Sequence, residues 1–190
     1  MKHTVLAVLI CLAGLAHGAV DVAGVKFDDR NSIGNVELQL NGASMRSRFI
    51  LRVYAVGLYL LEKKTSATDV LALKGAKRLQ IVTLRELTAE QFADALVEGI
   101  RKNHSSAEAA SLNTRIEAFK AAMLAVKTAA KGDVISIDWL PDSGTRLSVN
   151  GKQQGGDIAG EDFYLALLRI WLGPKPAQDD LKDTLLGKPL

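Results

Sequence analysis

The chain has 190 residues, 48% hydrophobic and 24% charged, which suits one globular domain with a short appendage and excludes a disordered or low-complexity protein. Its 24 lysines and arginines are spread among 21 acidic residues for a formal charge of +3. That is too mild and too scattered for a nucleic-acid binder, whose cations gather on one face.

Lys2 and His3 make a short polar start, and Thr4 to Ala16 is then almost wholly apolar. Ala16-His17-Gly18-Ala19 follows, with small residues where signal peptidase needs them. The segment predicts a secretory signal peptide over 1–18, cut before Ala19, and one domain over 19–190. The apolar run falls short of the roughly 20 residues a spanning helix needs, so no stable membrane anchor is expected after cleavage. The expected destination is periplasmic or secreted. The single cysteine, Cys11, and two of the three histidines leave with this leader, so only His104 remains. That predicts no disulfide, no metal site and no thiol nucleophile. Ser105 and Ser106 adjoin His104, but sequence neighbours do not form a triad, and His104 reads as a helix-end or loop residue.

Gly24 to Phe27 reads as a short strand, followed by a polar loop through Gly34. Val36, Leu38 and Leu40 alternate with polar residues, the pattern of a half-buried strand. Asn41-Gly42 is a turn signal and predicts a hairpin, with the return strand over Phe49 to Leu61. Gly57, inside that strand, marks a bulge or a close approach of backbone. A short helix over Thr68 to Leu73 stops at Gly75, and Lys77 to Arg85 is a strand. Thr88 with Gln91, and Ser105 with Glu108, have capping-box spacing and open two helices. Leu112, Ile116, Phe119, Met123 and Val126 mark the core stripe of a long one.

Val134 to Leu140 is a strand, turned by Pro141-Asp142-Ser143-Gly144 into a partner over Thr145 to Asn150. Asn150-Gly151 is the next turn, and Gly155-Gly156 reads as a turn within a loop. An amphipathic helix with Phe163, Leu167, Ile170 and Trp171 on one face ends at Gly173-Pro174. A last short helix covers Asp179 to Leu186. The order predicts an α+β fold, a mostly antiparallel sheet with helices on one face.

Two segments carry a resemblance: LNGASMRSRFILRVYAVGLYL, Leu40 to Leu60, and GEDFYLALLRIWLGPKPAQDDLKDTLLG, Gly160 to Gly187. Both resemble the chalcone isomerase-like family, in particular its bacterial exported branch, and the element order between them fits. The resemblance implies an open-faced β-sandwich, with a ligand cleft between a curved antiparallel sheet and a helical layer. Plant members close a flavanone ring there without a cofactor, whereas related members hold a fatty-acid carboxylate.

On this resemblance Arg46 matches the family's catalytic or ligand-binding arginine, with Arg48 and Arg52 as competitors for its register. A guanidinium there can hold a carboxylate, phenolate or enolate bidentately. Tyr54 stands where plant enzymes carry a threonine that positions water, and where fatty-acid-binding relatives carry a tyrosine-like partner of the arginine. Tyr59, five residues on, falls on the opposite face. Ile170 stands where plant enzymes carry a small hydroxyl residue. No residue matches their helix-borne tyrosine and asparagine with confidence, Asn103 and Asn113 being the candidates. The resemblance therefore implies a binding or accessory protein for a small amphipathic ligand, a fatty acid or a phenolic. A cofactor-independent intramolecular lyase or isomerase is the alternative. An apolar patch over Leu168–Leu172 and Leu181–Leu186 is a third feature, suited to a protein partner.

Overall fold

The computed structural model describes residues 18–188. The expected signal peptide lies, but for Gly18, outside the described residues. Seven strands form one antiparallel sheet in the order β11-β10-β9-β6-β5-β4-β3. These are β3 (Arg30–Ile33), β4 (Val36–Arg48), β5 (Leu51–Leu60), β6 (Lys77–Thr83), β9 (Val134–Leu140), β10 (Gly144–Val149) and β11 (Lys152–Ile158). The strands β1 (Ala19–Val22) and β2 (Val25–Asp28) make a separate hairpin, and β7 (Leu87–Thr88) pairs with β8 (Thr128–Ala129).

The helices are α1 (Ala67–Ala72), α2 (Ala89–Lys102), α3 (Ser106–Ser111), α4 (Asn113–Leu124), α5 (Glu161–Leu172) and α6 (Asp179–Leu185). Thr88 caps α2 by accepting from the Gln91 amide, and Ser105 with Glu108 closes a full capping box on α3. The expected long helix breaks after Ser111, but its stripe of Ile116, Phe119 and Met123 is core.

β5 is buried on both faces, which is why its sequence is nearly all apolar. Tyr54, Val56, Leu58 and Leu60 face the helices and join Phe92, Leu96, Phe163 and Trp171 in the main core. Ala55 and Tyr59 face the other way, with Phe27, Leu38 and Leu40. Gly57 is a close approach: a Cβ there would stand 2.7 Å from the Phe27 ring.

Asn41-Gly42 is not a turn. β4 runs straight through it, and the hairpin turn lies at Phe49-Ile50. The register with β5 passes from Leu40↔Tyr59 to Gly42↔Leu58, so Asn41 is an extra residue, a bulge. Its amide donates to the carbonyls of Lys64 (2.9 Å) and Leu185 (2.7 Å), and its oxygen accepts from the Lys64 amide at 2.7 Å. A Cβ on Gly42 would lie 2.1 Å from the Thr184 carbonyl. The dipeptide's turn chemistry serves to dock α6, and tertiary contact overrides the local signal.

Three further expectations change. The polar stretch before Gly34 is strand β3, paired with the start of β4. Gly155-Gly156 lies within β11, where the register with β10 shifts. Leu168, Leu172, Leu181, Leu185 and Leu186 are all buried, so the apolar segment expected to await a partner is interior core.

Candidate functional site

The bulge at Asn41 decides which face the rest of β4 presents. Before it, Leu38 and Leu40 point away from the helices; after it, Ala43 takes that side, and Gly42, Ser44 and Arg46 stand opposite Leu58, Val56 and Tyr54. Arg46 and Tyr54 are direct cross-strand partners and so share the helix-side face. Both line a cleft of about 630 Å³ between this end of the sheet, α2, α5 and the segment leading to α6. Its apolar walls include Leu51, Val53, Phe92, Leu96, Ile170 and Ala177. A void under Leu87 and Phe92 holds only about 20 Å³ and one between α2, α4 and α5 about 10 Å³, while a depression between α2 and α4 with charged walls holds about 420 Å³.

Tyr54 is 7% exposed. Trp171, wholly buried on α5, has only a donor to offer, and its indole N–H donates to the Tyr54 hydroxyl oxygen at 3.0 Å. Among the described residues no acceptor takes the Tyr54 proton, so the hydroxyl is set up to donate. The Phe92 ring meets Tyr54 edge to face at 6.2 Å and fixes its tilt. Burial pushes the phenol up to about 12, against the smaller opposing pull of the Trp171 bond and the Arg46 charge. It is a neutral donor across the physiological range and not a base.

Arg46 is half-buried, and α6 and its entry hold it in place. One guanidinium nitrogen donates to the Ser47 carbonyl (2.9 Å) and to the Gln178 side-chain oxygen (3.3 Å). Gln178 also accepts from the Ser47 amide (2.9 Å) and donates to the Met45 carbonyl (3.4 Å), closing the strand edge that β3 leaves open. No carboxylate pairs with Arg46 among the described residues, so most of its fork is available. Arg48 lies further out, at the cleft mouth with Arg85, Lys102, Lys175, Asp94 and Glu98, and Arg52 is exposed on the return strand.

The other sequence candidates are committed elsewhere. The Asn103 amide donates to the Gly99 and Lys175 carbonyls, and its oxygen accepts from the Lys175 amide, each at 2.9 Å. It clamps the end of α2 to the cleft's far wall without facing the cleft. Asn113 is exposed at the start of α4. Ile170 lines the cleft as an apolar wall, packed onto Gly99, where a Cβ would come within 2.7 Å. His104 sits at the end of α2, its ring bridging the Ile100 carbonyl (2.8 Å) and Arg169 (3.2 Å), while Ser105 is a helix cap. Tyr59 faces the opposite side of the sheet. Sequence reasoning missed Gln178, and it read Trp171 as core only; an acceptor-seeking indole on a helix that closes a tyrosine-bearing sheet was the available signal.

The family model described as chalcone isomerase-like matches residues 19–187. No curated protein matches significantly. Among solved structures, a fatty-acid binding protein of Arabidopsis thaliana superposes with a TM-score of 0.68 at 14% identity, over 89% of this chain and 96% of its own. At that identity the likeness is one of fold.

Proposed function

The chain belongs to the chalcone isomerase-like family, and from that premise we propose that it is an exported binding protein for a small amphipathic anion, a fatty acid or a phenolic. The observation that carries the reading is the rung formed by Arg46 and Tyr54 at a cleft with apolar walls. An ordered guanidinium without a carboxylate and a hydroxyl with a proton to give together supply three donors converging on one anionic group. The cleft volume falls within the range of small-molecule sites, and the fatty-acid binding of the Arabidopsis protein supports a lipid-like ligand. Export rests on the apolar run and the small residues before Ala19.

The same site argues against ring closure by base catalysis. Tyr54 remains protonated to about pH 12, and Asn103 is committed within the fold. The test is native mass spectrometry of protein taken from the exporting cell, followed by titration with a long-chain fatty acid and with a phenolic acid. The expected result is a retained ligand and saturable one-site binding that Arg46→Ala weakens. Turnover of a chalcone, abolished in Arg46→Ala, would instead establish the isomerase. N-terminal sequencing of the same material should read from Ala19, and an uncleaved chain confined to the cytoplasm would remove the export reading.

A further inference from the structure

The β4–β5 hairpin ends in three consecutive apolar side chains, of which Phe49 and Ile50 are covered by none of the described residues and Leu51 is half-exposed. Phe49 is 93% exposed, Ile50 96% and Leu51 50%. The other exposed large apolar residues, Val20, Val36 and Leu61, are scattered singly and need no explanation. The tip also projects. The last backbone bond holding β5 on the β6 side runs from the Leu84 amide to the Val53 carbonyl (3.0 Å), and the last contact on the outer side of β4 is the Ser47 amide to Gln178 (2.9 Å). The ribbon therefore runs free of flanking backbone partners from Arg48 to Arg52, roughly 7 Å at about 3.3 Å per residue.

Arg48 and Arg52 flank the apolar tip, and no acid occurs on either strand between Met45 and Val56. Arg85, Lys102 and Lys175 stand around the adjoining cleft mouth. The acids lining the cleft are Asp94 and Glu98, paired with Lys120 and Lys102, and Asp179 and Asp180 follow Gln178 at the start of α6. Phe49 itself has φ of 54°, the left-handed region where a bulky side chain is strained and glycine would be at ease. A large ring is thus held at the tip against the local backbone preference.

We infer that this tip is a lipid-docking element: Phe49, Ile50 and Leu51 enter the interface of an anionic bilayer while Arg48 and Arg52 meet the lipid headgroups. Apolar wedges bordered by cations bind such surfaces, reaching roughly 5–10 Å into the headgroup region. Leu51 and Arg48 belong both to the tip and to the cleft lining, so docking would bring the cleft mouth against the membrane. The contact stands on the tip alone and not on which ligand the cleft holds.

The test uses the chain from Ala19, whose sequence has no cysteine, with a fluorescent label at the tip through Ile50→Cys and at the far end of the sheet through Asp142→Cys. Vesicles of phosphatidylcholine, with or without an equal part of phosphatidylglycerol, carry a lipid-borne quencher. The expected result is quenching at position 50 and none at 142, confined to the anionic vesicles. The unlabelled double variant Phe49→Gly, Ile50→Ser should lose vesicle binding at least tenfold, with unchanged or raised thermal stability and unchanged ligand affinity in solution. Removing Arg48 or Arg52 should each weaken vesicle binding by about fivefold, the equivalent of one cation at an anionic surface. Equal quenching at both positions, or none at 50, overturns the proposal. So does a tip that drives self-association, with the double variant becoming monomeric and lipid binding unaffected.

Discussion

Two arginine–tyrosine pairs cross this sheet, one on each face, and they do opposite things. Arg46 stands across from Tyr54 on the helix side, and Arg78 stands across from Tyr59 on the other. Arg78 grips Asp138 through two bonds of 2.7 Å and also reaches the Asn31 side chain (2.7 Å) and the Ser32 carbonyl (3.2 Å). Its neighbours extend the network, with Asn31 donating to Gln80 and Arg146 holding Asp157 bidentately. Arg46 has a neutral glutamine, a carbonyl and a cleft. The residue type is the same; the partners decide that one guanidinium is tied into the fold while the other faces a cleft without a carboxylate partner.

The sharpest way to break this contrast is Arg78→Ala. It leaves Asp138, 3% exposed, without its ion-pair partner, and denaturant titration should show a loss of about 3–5 kcal/mol. A loss below about 1 kcal/mol would put Arg78 on a level with Arg46 and dissolve the distinction.

Tyr54 gives the next effect. Its pKa is raised above the unfolded value of 10.0 to about 12, so its contribution is full below pH 10 and is lost as pH rises to about 12. Thermal stability should fall across that window, by roughly 2–3 kcal/mol from this group. Tyr54→Phe should flatten that part of the fall in a pH series.

Arg46→Ala should cost affinity for an anionic ligand by about 1.5–3 kcal/mol, read by calorimetry, while apo stability drops by about 1 kcal/mol or less. Arg46→Lys should also bind more weakly, because an ammonium cannot reproduce the planar fork. If affinity is equal in Arg46→Ala and wild type, Arg48 or Arg52 becomes the anchor to test. The smallest effect belongs to Tyr54→Phe on ligand affinity, about 0.5–1.5 kcal/mol for one hydrogen bond.

Much of the architecture is legible because local chemistry and tertiary structure agree there. The Ser105–Glu108 capping box, the Pro141–Gly144 turn and the Asn150-Gly151 turn each need only their own neighbours. The core stripe of Ile116, Phe119 and Met123 follows from helical periodicity. Asn41-Gly42 misleads because its partners, Thr184 and Leu185, are more than 140 residues away. β11 escapes notice because its QQGG core lacks the β-branched residues that signal a strand. For the candidate site, the family motif names Arg46 and Tyr54 with Arg48 and Arg52 as competitors, and Arg46 and Tyr54 stand side by side at the cleft. The supports of that rung, Trp171 and Gln178, come from the far end of the chain, and no spacing rule links them to it.

The bulge at Asn41 has a consequence in time as well as in space. Two of the Asn41 side-chain bonds go to Lys64, but the third, to the Leu185 carbonyl, spans 144 residues. At roughly 5–20 residues per second of synthesis, the helix that docks on Asn41 and Gly42 appears on the order of 10 s after them. Until then the bulge is held by Lys64 and the β5 pairing without α6, and a one-residue slip would turn Arg46 toward the other side of the sheet. A chain that has not yet made α6 therefore carries Arg46 and Tyr54 without the contacts that α6 adds at the bulge. Through α6, the orientation of β4 depends on residues made long after it.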